Sequence, residues 1–319
     1  MRLRGAVQCS VVALVVTANA APPKPRYAVT PVAPSVLATQ LDERSASFTA
    51  DGRTIYFPVR IGDGYLQVIC SSTFDHGHWS EPSVLPFSGG PAFDADPFIT
   101  ADGHTLYFAS SRSVDGTPKA DLDIWVATRE GNTWGTPHPL PGKVNTAASE
   151  RGPVLAASGR LYFSATKDGR NQLFYADPTS DGFGPPIALG DNLNNDGDNV
   201  SLAINPAEDT LVFASVGRAD ETLAPGQGYP RGDLYISHKT NGEWSPVRHL
   251  AAPINSTAAE LSPSFSKDGR WLYFMSERNF ANDQHVFLTY DTLTKGLATS
   301  QNGRGNIYRV DVRALEAQP

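Results

Sequence analysis

The sequence predicts an all-β fold, a five-bladed β-propeller with four-stranded blades, and three observations predict it. First, one hairpin pattern is written five times, with turn positions at Asp51, Asp102, Ser158, Ala207 and Asp268, spaced 51, 56, 49 and 61 residues apart; a period near fifty is a repeat architecture. Second, each hairpin leads to a third strand and then to Trp79, Trp134, Phe183 or Trp244 with a proline two or three residues on, which makes four strands per repeat. Third, the fifth repeat ends after its third strand, while residues 29–41 carry the fourth-strand pattern with no strands before it. Joining the two closes the ring and removes an open sheet edge.

The elements follow in order. In residues 260–278, a first strand ends near Ser266, Asp268-Gly269 turns the chain, and residues 271–276 return as an aromatic and apolar strand. The Asp-Gly pair predicts a tight type I′ turn, because glycine takes positive φ at no steric cost. The earlier copies begin at Glu43, Asp94, Glu150 and Asn199. Third strands are expected over 66–71, 123–128, 172–176, 233–237 and 306–310. The lengthened loops 111–122, 217–232 and 279–305 all connect second to third strands, so the topology gathers them on one face, where binding is expected.

Residues 94–112, 123–125, 131–137 and 145–150 together give an acid, a proline three residues on, Asp-Gly-x-x-Leu-Tyr-Phe, a terminal Arg, then Asp-Ile-Trp, Gly-x-x-Trp-x-x-Pro and Asn-x-x-x-x-Glu. This pattern, repeated in 260–278 after Asn255, resembles the WD40-like propeller repeat of TolB-type periplasmic proteins across residues 30–313. The resemblance implies an exported binding or scaffolding module with a protein or peptide partner in the cell envelope.

Eight residues before each turn position stand Glu43, Asp94, Glu150, Asn199 (with Asp198 beside it) and Glu260, and at the end of each second strand stand Arg60, Arg112, Lys167, Arg218 and Arg278. Antiparallel pairing predicts five acid–base pairs around the channel mouth, Glu43 meeting Arg60 and Glu150 meeting Lys167 among them. Their recurrence in every blade favours a structural role; as a ring they are the candidate ligand-binding residues. No catalytic residue is assigned. The alternative is a hydrolase of glycans or peptides using mouth carboxylates, but such chemistry needs one carboxyl kept protonated and another ionised, and paired acids would all be ionised. No metal site is expected: the Asn/Asp-rich run 192–197 lacks a glutamate at the twelfth position of a calcium loop, and His76 and His78 share a turn with no third ligand near. No motif for a cofactor occurs.

Arg2, Arg4, an apolar run over 6–17 and Ala18-Asn19-Ala20 form a secretory signal, with cleavage expected after Ala20 and a periplasmic or secreted product. The expected division is signal 1–20, leader 21–28, propeller 29–313 and tail 314–319. Without Arg2 and Arg4, 24 basic residues face 33 acidic ones, a net charge of −9, which argues against nucleic acid and anionic lipid as partners. No spanning run remains. Cys70 is the only cysteine left, so no internal disulfide can form, and a monomer held by its core is expected.

Overall fold

The computed structural model describes residues 27–33, 36–62, 66–115, 119–223, 229–279 and 289–317. The expected signal, and Cys9 within it, lie outside them. The described chain forms five small antiparallel sheets arranged in a ring, a five-bladed propeller. Blade one comprises Asp42–Glu43 with Ser47–Phe48, then Thr54–Ile61, Leu66–Asp75 and Ser83–Val84. Blade two comprises Asp94–Ile99, Thr105–Ser110, Asp123–Glu130 and His138–Pro139. Blade three comprises Glu150–Leu155, Leu161–Lys167, Arg170–Ala176 and Ile187–Ala188. Blade four comprises Asp198–Ile204, Thr210–Val216, Asp233–Thr240 and Arg248–His249.

Blade five comprises Glu260–Phe265, Trp271–Ser276 and Asn306–Asp311, and Thr30–Pro31 supplies its outer strand. Thr30 pairs with Arg309 and Pro31 with Tyr308. The ring is therefore closed by the amino-terminal strand. Val32, Val36 and Leu37, which follow it, are buried in a core shared by blades one and five. Proline suits this place because an outer strand does not need every N–H in its ladder.

The hairpin turn differs from the expected type I′. Gly269 N–H donates to the Ser266 carbonyl (2.9 Å), Ser266 N–H donates to the Trp271 carbonyl (2.9 Å), and Gly269 alone of the turn residues has positive φ, +68°. This is a type I turn followed by a left-handed residue. The Asp268 carboxylate fixes it by accepting from Ser266 Oγ and from Arg270 N–H. The aspartate thus stabilises a four-residue loop, which a two-residue turn would leave no room for. Blade four makes the same turn with Glu208 in the glycine's place at φ 58°.

Between blades the core is aromatic and aliphatic. Tyr56 of blade one is buried with Leu106, Phe108 and Trp125 of blade two, and Phe48 stacks on Tyr273 of blade five at 4.5 Å. Cys70 is buried, and burial pushes its thiol up to about 11, so it serves as a small apolar residue.

Since 29–41 holds both the closing strand and Val32, Val36 and Leu37, deleting it should abolish the cooperative unfolding transition followed by circular dichroism. An unchanged melting curve would show that closure contributes nothing.

Candidate functional site

Each inner strand begins with a carboxyl or amide that is closed to solvent: Glu43, Asp94, Glu150, Asn199 and Glu260 are at most 1% exposed. The residue four positions earlier explains this for the three glutamates. Thr146 donates its N–H (3.1 Å) and Oγ (2.6 Å) to Glu150, Ser256 donates likewise to Glu260 (2.8 and 2.7 Å), and Thr39 Oγ donates to Glu43. Ser88 Oγ donates to Asp94 (2.7 Å) from six residues back. The acid therefore fastens the connection that brings the chain from one blade to the next.

Just before these hydroxyls, Asn145 and Asn255 each accept the N–H and donate to the C=O of one third-strand residue, Ile124 or Leu234. Asn194 does the same to Leu173. The run 192–197, read for calcium and set aside, is thus a latch, and its spacing to Asn199 repeats that of Asn145 to Glu150.

Of the five expected pairs, two are ion pairs: Arg112 to Asp94 (2.6 Å) and Arg278 to Glu260 (3.2 Å). In blade four Arg218 reaches the neutral Asn199 Oδ1 at 3.4 Å and the Leu193 carbonyl at 2.9 Å. Asp198 turns away to accept from Asn171 N–H and Nδ2. The pairs Glu43–Arg60 and Glu150–Lys167 do not form. Arg60 binds Asp42 instead (2.5 Å), Lys167 is exposed, and Glu43 and Glu150 are met by hydroxyls.

The residue opposite the acid decides which pairs form. Ser110, Ser215 and Ser276 stand across from Asp94, Asn199 and Glu260, and each serine Oγ accepts from the arginine Nε at 2.8–3.0 Å. That bond folds the guanidinium back over the strand. Val59 and Ala165 occupy the same place in blades one and three and offer no oxygen. Without a basic partner, burial raises Glu43 and Glu150 to about 7. Burial also raises Asp94 and Glu260, against the pull of Arg112 and Arg278.

The channel is lined by the residues that follow these acids. The inner strands of blades two, three and five are bulged, with the register breaking between Ala95 and Phe98, Arg151 and Val154, and Leu261 and Ser264. Pro97, Pro153 and Pro263 fall in the breaks, where a residue without an N–H cannot join the ladder. The residues before them, Asp96, Gly152 and Ser262, take φ of 49°, 60° and 50° and with Ser45 and Ser201 line a neck of about 40 Å³. Above it, on the long-loop face, opens a mouth of about 360 Å³. Arg44, Arg60, Gln67, Asp96 and Arg151 border it with Phe93, Val200, Val216 and Leu261. Burial raises the Asp96 carboxyl, and Arg151 and Arg44 oppose this. Arg44 and Arg231 both pair with Glu277, so the loop ending at Gly232 is tied to blades five and one. Asp94 and Arg112 border a separate groove of about 420 Å³ with Phe87, Trp125 and His138. The sequence signal for the mouth was the proline three residues after Asp94, Glu150 and Glu260. Among the described residues no group of three metal-binding side chains gathers, and no helix is long and apolar enough to cross a membrane.

No family model and no curated protein matches the sequence. Among solved structures, the chain is similar to a thermostable family-43 glycoside hydrolase at 12% identity, over 85% of this chain and 89% of that one, with a TM-score of 0.50. It is also similar to a protein named as a TolB from Agrobacterium tumefaciens (14% identity, 84% and 90% covered, TM-score 0.47). A third is the periplasmic gluconolactonase PpgL of Pseudomonas aeruginosa (14%, 74% and 66% covered, TM-score 0.45), of whose length this chain spans less than two thirds. At these identities the likeness concerns the fold alone, and propellers host unrelated functions.

The raised Glu150 has a consequence for stability. Its folded pKa lies above the ordinary 4.5, so between about 4.5 and about 7 the folded state holds a proton that the unfolded chain has released. The stability this contributes is complete below that window and lost as pH rises through about 7. Glu150→Gln should remove this loss and be more stable than wild type at pH 8 by roughly 1–2 kcal/mol in urea unfolding. Equal pH dependence of the two proteins would show that the carboxyl is already ionised at neutral pH.

Proposed function

We propose that the protein is an exported β-propeller of the TolB type that binds a protein or peptide of the cell envelope at the channel mouth and long-loop face, without catalysing a reaction. One observation carries this reading: the recurrent carboxyls that hydrolysis would need are spent inside the blade junctions. Glu43 and Glu150 have the raised pKa of a general acid, yet neither borders any of the cavities described above. Among the described residues lining the mouth Asp96 is the one carboxyl, and it stands among arginines, whereas glycoside hydrolysis requires two. What the mouth offers is a mixed rim, with Arg44, Arg60, Arg151 and Asp96 for charged groups and Phe93, Val200 and Leu261 for apolar ones. Such a rim suits a peptide segment with charged termini or side chains. Of the predicted ligand-binding residues, Arg60 borders the mouth and Arg112 the neighbouring groove, Lys167 is exposed, and these remain candidates for contact; the buried Glu43, Asp94, Glu150, Asn199 and Glu260 act through the backbone they hold.

The second reading, a hydrolase, rests on Glu43 and Glu150 being near neutrality at physiological pH. Co-purification from envelope extract separates the two. Wild type should capture partners that an Arg60→Glu/Arg151→Glu variant and a deletion of 217–232 both lose. Equal capture by all three would overturn the binding site. Turnover of a glycan or peptide that Asp96→Asn abolishes would establish the hydrolase. Amino-terminal sequencing of the mature protein should begin at Ala21; a retained Met1 would overturn export by this signal.

A further inference from the structure

The other end of the channel, on the hairpin-turn face, is chemically unlike the mouth. It holds a cavity of about 240 Å³ bordered by Phe98, Val154, Leu155, Ile204 and Phe265, and one charged side chain, Lys267, reaches into it. Lys267 belongs to the turn of blade five, yet its Nζ lies 3.7 Å from the ring centroid of Phe98 in blade two, so the side chain crosses the end of the channel. Among the described residues it makes no ion pair or hydrogen bond; the ring face is its partner. Carboxylates do stand on the surrounding turns, but each is engaged locally. Asp51 binds Thr49 and Arg53 N–H, Asp102 binds Thr100 and His104 N–H, and Asp268 binds Ser266 and Arg270 N–H. Glu208 binds Ser158, and Asp209 binds Asn205 and Thr210. His104 is exposed.

A part-buried ammonium with only an aromatic face for company is an incomplete site. Its other polar lining groups, Ser47, Thr100, Asn205, Ser264 and Ser266, are already bonded to neighbouring backbone or turn groups, so the walls favour an apolar body over a sugar, and the single charge calls for a single anion. We propose that this cavity binds a small organic monoanion with an apolar body, a medium-chain or aryl carboxylate, whose body lies against Phe98, Val154, Leu155, Ile204 and Phe265 and whose carboxylate accepts hydrogen bonds from Lys267 Nζ. The volume fits: at ~30 Å³ per water-sized group it holds about eight, below the range of drug-sized pockets. Burial alone lowers Lys267 to about 8, and a carboxylate beside it would restore its charge. This site is independent of the proposed mouth ligand, on the opposite face.

The test is calorimetric titration of the full mature chain with sodium octanoate and, as a neutral control, 1-octanol. Octanoate should bind wild type at pH 7. Lys267→Met should bind it about tenfold or more weakly, the loss of a charge-assisted hydrogen bond, while keeping its affinity for 1-octanol. Octanoate affinity for wild type should also fall as pH rises through about 8, as the ammonium loses its proton. Val154→Trp, which fills the cavity, should lose both ligands while retaining a cooperative unfolding transition. Equal octanoate affinity in wild type and Lys267→Met, no binding by wild type, or undiminished binding by a folded Val154→Trp would each overturn the proposal.

Discussion

The structure depends on a buried carboxyl or amide at the head of each inner strand, held, for the three glutamates, by a hydroxyl from the residue four positions back. A propeller blade has little contact with anything except its two neighbours, so the segment between blades must be fixed or the ring loses its geometry. Here the same short run does two jobs. Asn145, Asn194 or Asn255 latches the run to the blade behind, and Glu150, Asn199 or Glu260 five residues on begins the blade ahead. Burying a carboxyl is costly unless its oxygens are satisfied, and the Thr146 and Ser256 groups meet that need within the same turn of chain.

This clip also sets what the channel can display. Once the acid is fixed, the next residues are committed to the axis, and the bulge at Pro97, Pro153 and Pro263 aims the residue before each proline inward. The position two residues after each acid or amide forms one ring around the axis, carrying Ser45, Asp96, Gly152, Ser201 and Ser262, and the one charge among them, Asp96, breaks its symmetry. Farther along the same strands Phe98, Val154 and Phe265 make the far end apolar. One repeated framework thus gives a charged mouth and a greasy base, separated by a narrow neck.

Much of this was legible in the sequence. The period, the third strands and the sharing of a blade by both termini follow from pattern and arithmetic, because strand alternation and turn residues are local properties. The acids and their latch asparagines also stand out by spacing. The partner of each acid does not, because it depends on a residue across the ladder: Ser110 and Ser276 hold their arginines, whereas Val59 and Ala165 leave Arg60 and Lys167 free to turn elsewhere. The reach of Lys267 to Phe98, two blades away, leaves no trace in spacing at all, since it is a property of the closed ring.

The clip is tested most directly by native-state hydrogen exchange at the backbone N–H of Thr146. This residue is exposed and lies in no strand, so a surface loop would exchange it rapidly. If its N–H is held by the buried Glu150 carboxyl, it should exchange as slowly as the strand amides of blade three, opening only with the ring. Exchange at the rate of an unprotected loop would contradict the account, because the junction would then open without the blades.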